Sequence, residues 1–368
     1  MPTLRLLPHI EALPNMVPFV APEAVERRRG RRFRARLGAN ESPFGPSPKA
    51  AAAMREAAAS VWRYGDPESW DLKAALASRH GVQPQNIIVG EGIDGLQGLT
   101  ARLTLQPGDA AVTSAGAYPT FNYHVAAQGG RLVAAPYKDD REDLEALLDL
   151  ARREKARLLY VSNPDNPMGS WWSAAHIERL LEQLPPGVLF MLDEAYCQYA
   201  PAEAALPPGL LHPQMLRFRT FSKAYGLAGA RVGYALGEPG LIAAFDKMRN
   251  HFGVNRIGQI GALAALEDQE HLTQAVEKIF FARRRLARIA TDNGLEPLPS
   301  AANFVAIDCG RDGAFALRVM EALTDRDVFV RKPMTPPLDR CIRVSCGLDA
   351  DLDVFAEELG PALRAAAD

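Results

Sequence analysis

An α/β fold is predicted: a large domain whose mostly parallel sheet is covered by helices, joined to a smaller α+β domain. Three observations predict it. Apolar, β-branched runs alternate with helix-length stretches, the spacing calls for crossover connections rather than hairpins, and a second set of strands follows a long helical region. The first runs are Ile87-Ile88-Val89, Ala110-Ala111-Val112, Leu132-Val133, Leu158-Leu159-Tyr160-Val161, Val188 to Leu192, Met215 to Thr220 and Val232 to Leu236. Glu142 to Ala156 reads as the helix preceding Leu158. A helical region from about Gln259 to Asn293 stops at Asn293-Gly294, a C-terminal helix signal. Beyond it, Asn303 to Cys309, Val328 to Arg331 and Cys341 to Cys346 read as strands of the small domain. The expected division is an N-terminal arm with part of the small domain at 1–40, a large domain at 41–258, and a linking helix with the small domain at 259–368. Pro8, Pro14, Pro18 and Pro22 make the arm extended.

Composition narrows the function classes. A chain of 368 residues has room for two cores, and 48% hydrophobic with 23% charged content is ordinary for a globular protein. A formal net charge of −2 recruits neither nucleic acid nor anionic lipid. Arg27 to Arg36 is basic but lacks interleaved stacking aromatics, so it is expected to be a solvated or anion-tolerant surface segment. No stretch reaches the roughly 18 apolar residues of a spanning helix, and the N-terminus lacks a secretory pattern, so a cytoplasmic protein is expected. Cys197, Cys309, Cys341 and Cys346 have no metal-type pairing and read as small buried hydrophobes, without disulfide or zinc.

The chemistry gathers at three loops. Thr220-Phe221-Ser222-Lys223-Ala224-Tyr225-Gly226 places a lysine among apolar neighbours that disfavour its charged form, which frees the amine to attack an aldehyde. Arg231, Thr220 and Ser222 can meet a phosphate, so the predicted ligand is a phosphorylated aldehyde, pyridoxal phosphate. Asp193-Glu194-Ala195-Tyr196 closes a buried strand, where Asp193 can keep a pyridine nitrogen protonated and Tyr196 can donate to the ring oxygen. Asn163-Pro164-Asp165-Asn166-Pro167-Met168-Gly169 is a rigid loop that can aim Asn166 at the same oxygen. Singly, each segment has a plainer reading as a surface turn, a helix cap or an Asx-turn. Their order and combination are far more specific than any one of them.

Together these loops resemble the fold-type I pyridoxal-phosphate aminotransferases, whose architecture is that of aspartate aminotransferase. Asn40-Glu41-Ser42-Pro43-Phe44-Gly45-Pro46, Tyr64, Asn303-Phe304 and Arg343-Val344-Ser345-Cys346-Gly347 extend the resemblance, over nearly the whole chain, to the histidinol-phosphate aminotransferases. The resemblance implies that Lys223 bonds the cofactor and moves the substrate proton. It places Gly92-Ile93-Asp94 at a phosphate-binding helix start, with Ile93 replacing the usual small residue, and Phe121 against the cofactor ring. Tyr64 is implied to cross from a partner subunit, which makes the protein a homodimer. Arg343 is implied to grip a carboxylate, sharing phosphate with Arg331, and Asn40 to meet substrate. Phe19 and Phe252 stand where histidinol-phosphate enzymes tend to carry tyrosine, leaving a more apolar pocket that also suits aromatic amino acids. The implied partners are an amine donor and a 2-oxo acid such as 2-oxoglutarate. A threonine-phosphate-type decarboxylase shares these motifs and stays open as an alternative. A ligand-sensing regulator would need a DNA-binding module, for which the short arm leaves no room.

Overall fold

The computed structural model describes residues 5–14 and 20–367. The apolar runs form β2 (Ile87–Gly90), β3 (Ala110–Ser114), β4 (Arg131–Ala135), β5 (Leu158–Ser162), β6 (Leu189–Asp193), β7 (Met215–Thr220) and β8 (Gly233–Leu236), preceded by a short β1 (Ala35–Arg36). Strands β2 to β8 make one seven-stranded sheet in the order β2-β8-β7-β6-β5-β3-β4. The neighbours from β4 through β7 run parallel, while β8 is antiparallel to both β7 and β2. The reason lies in the β7–β8 connection, Phe221 to Val232, which holds a short 3-10 turn at Ala228–Ala230 in place of a crossover helix.

The parallel strands β3, β5, β6 and β7 are buried on both faces while the edge strand β4 is largely exposed, and the two-residue period sorts the buried side chains. Leu159, Val161, Phe190 and Leu192 face one layer, with Leu144, Leu147 and Leu148 from the helix Leu144–Arg153 and Ile177, Leu180 and Leu181 from the helix Ala174–Glu182. Leu158, Tyr160, Met191 and Phe218 face the other, against Leu96 and Phe121. The helix Leu144–Arg153 begins where Asp143 accepts from the Ala146 amide at 3.1 Å.

The long helical region is two helices, Arg256–Glu267 and Gln269–Asp292, where the sequence reads as one. The break is at Asp268, whose backbone (φ −93°, ψ 70°) leaves the helical region and whose carboxylate accepts from Lys49 at 3.3 Å. After it, β10 (Phe304–Asp308) pairs antiparallel with β9 (Glu296–Pro297) and β12 (Cys341–Ser345), while β11 (Val328–Phe329) pairs in parallel with β1.

The basic run is more engaged than a solvated face. Arg29 and Arg31 meet Asp327 at 2.6 and 3.0 Å, Arg34 meets Glu357 and Glu358 at 2.6 and 2.8 Å, and Arg36 meets Glu23 at 2.6 Å and also Glu26. Apart from the more enclosed Arg29–Asp327 pair, these part-exposed pairs contribute at most about 1 kcal/mol each, so they orient the segment more than they stabilise it. Among the described residues no helix is long and apolar enough to cross a membrane, and no His, Cys, Asp and Glu cluster could hold a metal. All four cysteines are free, with Cys309, Cys341 and Cys346 buried.

Glu194 anchors the ends of β6 and β7. It accepts from Arg217, whose side chain is fully buried, at 2.9 and 3.0 Å, and from Arg219 at 2.9 Å. Burial alone would raise its pKa, but Arg219 and Arg217 outweigh it and hold the carboxyl at about 2. Because the folded pKa lies below the unfolded one, this contribution is complete above the ordinary carboxyl range and is lost as pH falls toward 2. Glu194→Ala strands the Arg217 charge and should cost about 3–5 kcal/mol in urea unfolding at pH 7, with a smaller difference from the parent at pH 3.

Candidate active site

The direction of chain travel reverses between β3 and β5, since β4 lies on one side of β3 and β6 and β7 follow on the other. Open parallel sheets bind ligands outside such a point, at the carboxyl ends of the strands. A cleft of about 810 Å³ opens there, lined by Tyr118 beyond β3, Ser162 and Asn166 at β5, Asp193 and Tyr196 at β6, and Thr220, Ser222 and Lys223 at β7.

Lys223 donates to the Asn40 carbonyl at 2.9 Å. Burial, reinforced by Arg343, lowers its pKa to about 8. Its loop turns at Gly226 (φ +68°), where an added Cβ would collide with the Gly45 carbonyl, so only glycine fits. Asp193 accepts from Tyr160 at 2.9 Å, Gln97 at 3.1 Å and the Ala195 amide at 2.9 Å. Desolvation still pushes it up to about 6. A cationic ring nitrogen beside it would supply the missing compensation. The Tyr196 hydroxyl receives Nδ2 of Asn40 at 3.2 Å and Nδ2 of Asn166 at 3.4 Å, and burial raises its pKa.

One end of the cleft is built largely from backbone. Gly92 starts the helix Gly92–Thr104 with φ +80°, and a Cβ there would lie 2.5 Å from Arg231 Nη2, so glycine is what lets the guanidinium lie over the helix start. Arg231 donates to the Ala228 carbonyl at 3.0 Å and has no carboxylate partner among the described residues. Ile93 keeps its place at this helix start and lines the cleft. Asp94 also lines it, but its carboxylate pairs with His124 at 2.7 Å, which lowers its pKa. Thr220 Oγ1 accepts from the Ser222 amide at 3.0 Å. Helix amides, a guanidinium and small hydroxyls at one end, an amine at the floor and a buried carboxyl beyond it fit pyridoxal phosphate in both charge and order.

The opposite wall carries Arg343, which donates to Asn166 Oδ1 at 2.6 Å and to the Gly38 carbonyl at 3.2 Å, with its buried Nε unpaired. Burial lowers its pKa. Arg331 is joined to Arg343 main chain to main chain and donates from its side chain to the Val20 carbonyl at 2.6 Å. Neither arginine has a carboxylate partner among the described residues.

Other expected site residues lie elsewhere. Phe121 is fully buried in the layer behind the cleft, stacked on Tyr160 at 4.9 Å and 12°, and does not line the cleft. It braces the ring whose hydroxyl holds Asp193. Tyr64 and Phe252 are 77% and 51% exposed and pack on each other at 4.8 Å, outside this cleft. Phe19 lies outside the described residues. Sequence reading missed Tyr160 and Gln97 as partners of Asp193 and Tyr118 and Tyr123 as cleft walls. Tyr160 was the findable one, as the sole polar tip within an apolar strand run.

The chain belongs to the class I and II aminotransferases, whose family model matches residues 35–359. Relatives matched over nearly their whole length are histidinol-phosphate aminotransferases. That of Carboxydothermus hydrogenoformans is 37% identical over 356 residues, covering 95% of this chain and 97% of the relative. The crystal structure of histidinol-phosphate aminotransferase from Sinorhizobium meliloti in complex with pyridoxal-5'-phosphate is 53% identical with a TM-score of 0.95, covering 98% of both chains. A Thermus thermophilus aspartate aminotransferase mutant, 22% identical with a TM-score of 0.81 over 98% of this chain and all of its own, shares the fold. The protein is thus a pyridoxal-phosphate-dependent aminotransferase of the aspartate aminotransferase fold.

Because the Lys223 amine must be neutral to attack an aldehyde, covalent capture of pyridoxal phosphate by the apoenzyme should accelerate through a midpoint near pH 8, well below an ordinary lysine. Rapid-mixing absorbance across pH 6.5 to 10 measures this; a midpoint above about 10 would rule out the lowered amine.

Proposed function

We propose that the enzyme moves the amino group of histidinol phosphate to 2-oxoglutarate, and that Asp193, Tyr196, Asn166, Lys223 and Arg231 act as a set in doing so. The observation that carries this reading is the Arg331 and Arg343 pair across the cleft from Lys223, two guanidiniums that face no carboxylate among the described residues. Histidinol phosphate has no α-carboxylate, so one site must take its phosphate and the carboxylates of glutamate in turn. Planar guanidinium forks suit both groups. The names of the near-full-length relatives support the same donor.

Pyridoxal phosphate, when bound, supplies a conjugated ring that takes up the electron pair released when the substrate C–H bond breaks. Asp193 would sit against the ring nitrogen as an anion, with Tyr160, Gln97 and the Ala195 amide fixing its direction. Tyr196 and Asn166 would face the ring oxygen, and Arg231, Thr220, Ser222 and the amides of the Gly92 helix start would hold the phosphate. Lys223, with a pKa near 8, is suited both to take the substrate proton and to return it. Amino transfer rather than decarboxylation is the reading that the near-full-length relatives, named as histidinol-phosphate aminotransferases, support.

We also propose a homodimer in which Tyr64 of the partner subunit completes the phosphate site. Val61, Trp62, Tyr64 and Phe252 are 57%, 75%, 77% and 51% exposed, an apolar surface suited to a second copy. Phe252, beside Tyr64, would then line the partner's donor pocket. Four free thiols fit a reducing cytoplasm as the working compartment.

Arg343→Ala should lower kcat/KM for histidinol phosphate and for 2-oxoglutarate alike, by the equivalent of about 2–5 kcal/mol, with the protein still folded. Loss with one substrate only would break the shared-anion reading. Steady-state comparison of histidinol phosphate with phenylalanine and tyrosine tests the donor, and histidinol phosphate should have the highest kcat/KM.

For the dimer, mixing Lys223→Ala with Tyr64→Ala subunits should regenerate one intact site per hybrid, giving activity above either parent. Verified hybrids no more active than the parents would place Tyr64 in its own subunit's chemistry.

A further inference from the structure

We propose that Ser345, a small-domain residue outside the cleft lining, is a positioning residue that sets the catalytic amine of Lys223 by clipping Asn40. Asn40 is 2% exposed and has φ 54°, in the left-handed region that an L-residue adopts only when its surroundings hold it there. Every polar group it owns is engaged. Its amide donates to Ser345 Oγ at 3.0 Å, its Oδ1 accepts from the same hydroxyl at 2.7 Å, and its Nδ2 donates to Tyr196. Its carbonyl accepts from both Lys223 Nζ at 2.9 Å and Asn303 Nδ2 at 3.0 Å.

One hydroxyl therefore uses both its proton and a lone pair on a single residue. It holds the main-chain amide and the side-chain amide at once, which fixes the backbone twist and the rotamer together. Ser345 is itself seated by the main chain: its amide donates to the Leu37 carbonyl at 2.8 Å, and it pairs with Phe304 across β10 and β12. Asn303, just before β10, grips the same carbonyl from the other side.

The consequence falls on Lys223, because among the described residues that carbonyl is the hydrogen-bond acceptor its amine meets. A carbonyl can orient N–H groups but cannot take a proton, so the amine keeps its lone pair available toward the cleft. The same clip turns Nδ2 of Asn40 toward Tyr196 and leaves the phenol proton free for an acceptor in the cleft. Removing the Ser345 hydroxyl lets Asn40 relax from the left-handed region and swings the carbonyl away from the amine. A displacement of about an ångström at a reacting group is enough to slow a reaction severely.

The test uses the apoenzyme's capture of pyridoxal phosphate, in which the Lys223 nitrogen bonds the aldehyde carbon and the aldehyde oxygen leaves as water. This readout does not depend on the donor substrate, so it stands or falls separately from the histidinol phosphate reading. Ser345→Ala should slow capture about tenfold and lower kcat with KM within about twofold, while Ser345→Thr, which keeps the hydroxyl, stays within about threefold of the parent. Capture by Ser345→Ala at the parental rate overturns the proposal, as does a Thr variant as slow as Ala, since packing alone would then explain both. Should Ser345→Ala not fold, Asn40→Gly and Asn40→Ala decide. Glycine accepts φ 54° and alanine resists it, so capture should be faster in the glycine variant. Equal rates overturn the proposal.

Discussion

Asp193 ends a strand buried on both faces, and a carboxylate in that position stays ionised only if something offsets its lost hydration. Tyr160, Gln97 and the Ala195 amide offset part of it, yet the group still titrates near 6. The deficit is what makes the carboxylate selective: it gains most from a cation that brings its own positive charge into the cleft. Much of the surrounding construction serves this geometry. Phe121 stacks on Tyr160 to fix the phenol, and the helix Gly92–Thr104 carries Gln97 on the same segment whose first turn faces Arg231. Immediately after Asp193, Glu194 turns to Arg217 and Arg219, so the two adjacent acids share no partner and the strand end cannot slide.

The charge pattern at the rest of the cleft is complementary. Lys223, Arg231, Arg331 and Arg343 project toward one space, and among the described residues none of them is matched to a carboxylate at salt-bridge distance. Burial lowers the pKa values of Lys223, Arg331 and Arg343, and the positive charge of Arg343 adds to the effect at Lys223. Anionic groups suit both ends of this space, and the fixed guanidiniums and amine act as electrostatic preorganisation for them.

The sheet was legible because strands buried on both faces leave a continuous apolar signature, as in Leu158 to Val161 and Met215 to Thr220, and even the exposed edge strand β4 keeps the short run Leu132-Val133. Direction was less legible. Nothing in Val232 to Leu236 distinguishes an antiparallel strand; the missing crossover helix decides it. Asp268 is one of the weaker helix formers and a favoured helix-start residue, a break signal set inside an otherwise helical run, and its carboxylate also meets Lys49 far away in sequence. The motif residues Lys223, Asp193, Tyr196, Asn166 and Arg231 do meet in one cleft, because strand ends bring loops together in a way their spacing implies. Phe121 shows the limit of that inference. An aromatic near a site can face the ligand or brace a residue that does, and one position along a helix separates the two. The arginine run was misleading for a related reason: its counter-charges, Asp327, Glu357 and Glu358, lie nearly the whole chain away.

The pairing of β1 with β11, and of Asn40 with Ser345, also orders events during synthesis. The seven-stranded sheet has all its strands once β8 leaves the ribosome, whereas the seat for the lysine amine waits for β12 near the end of the chain. At about 5–20 residues per second the interval between them is on the order of ten seconds. A nascent chain that ends before β12 thus holds the acid, the lysine and the Asn40 carbonyl without the Ser345 hydroxyl that fixes that carbonyl. On the proposed clip, capture of a reactive aldehyde reaches its full rate only once β12 has joined, so the last strand to be made is also the one that tunes the first-made half of the site.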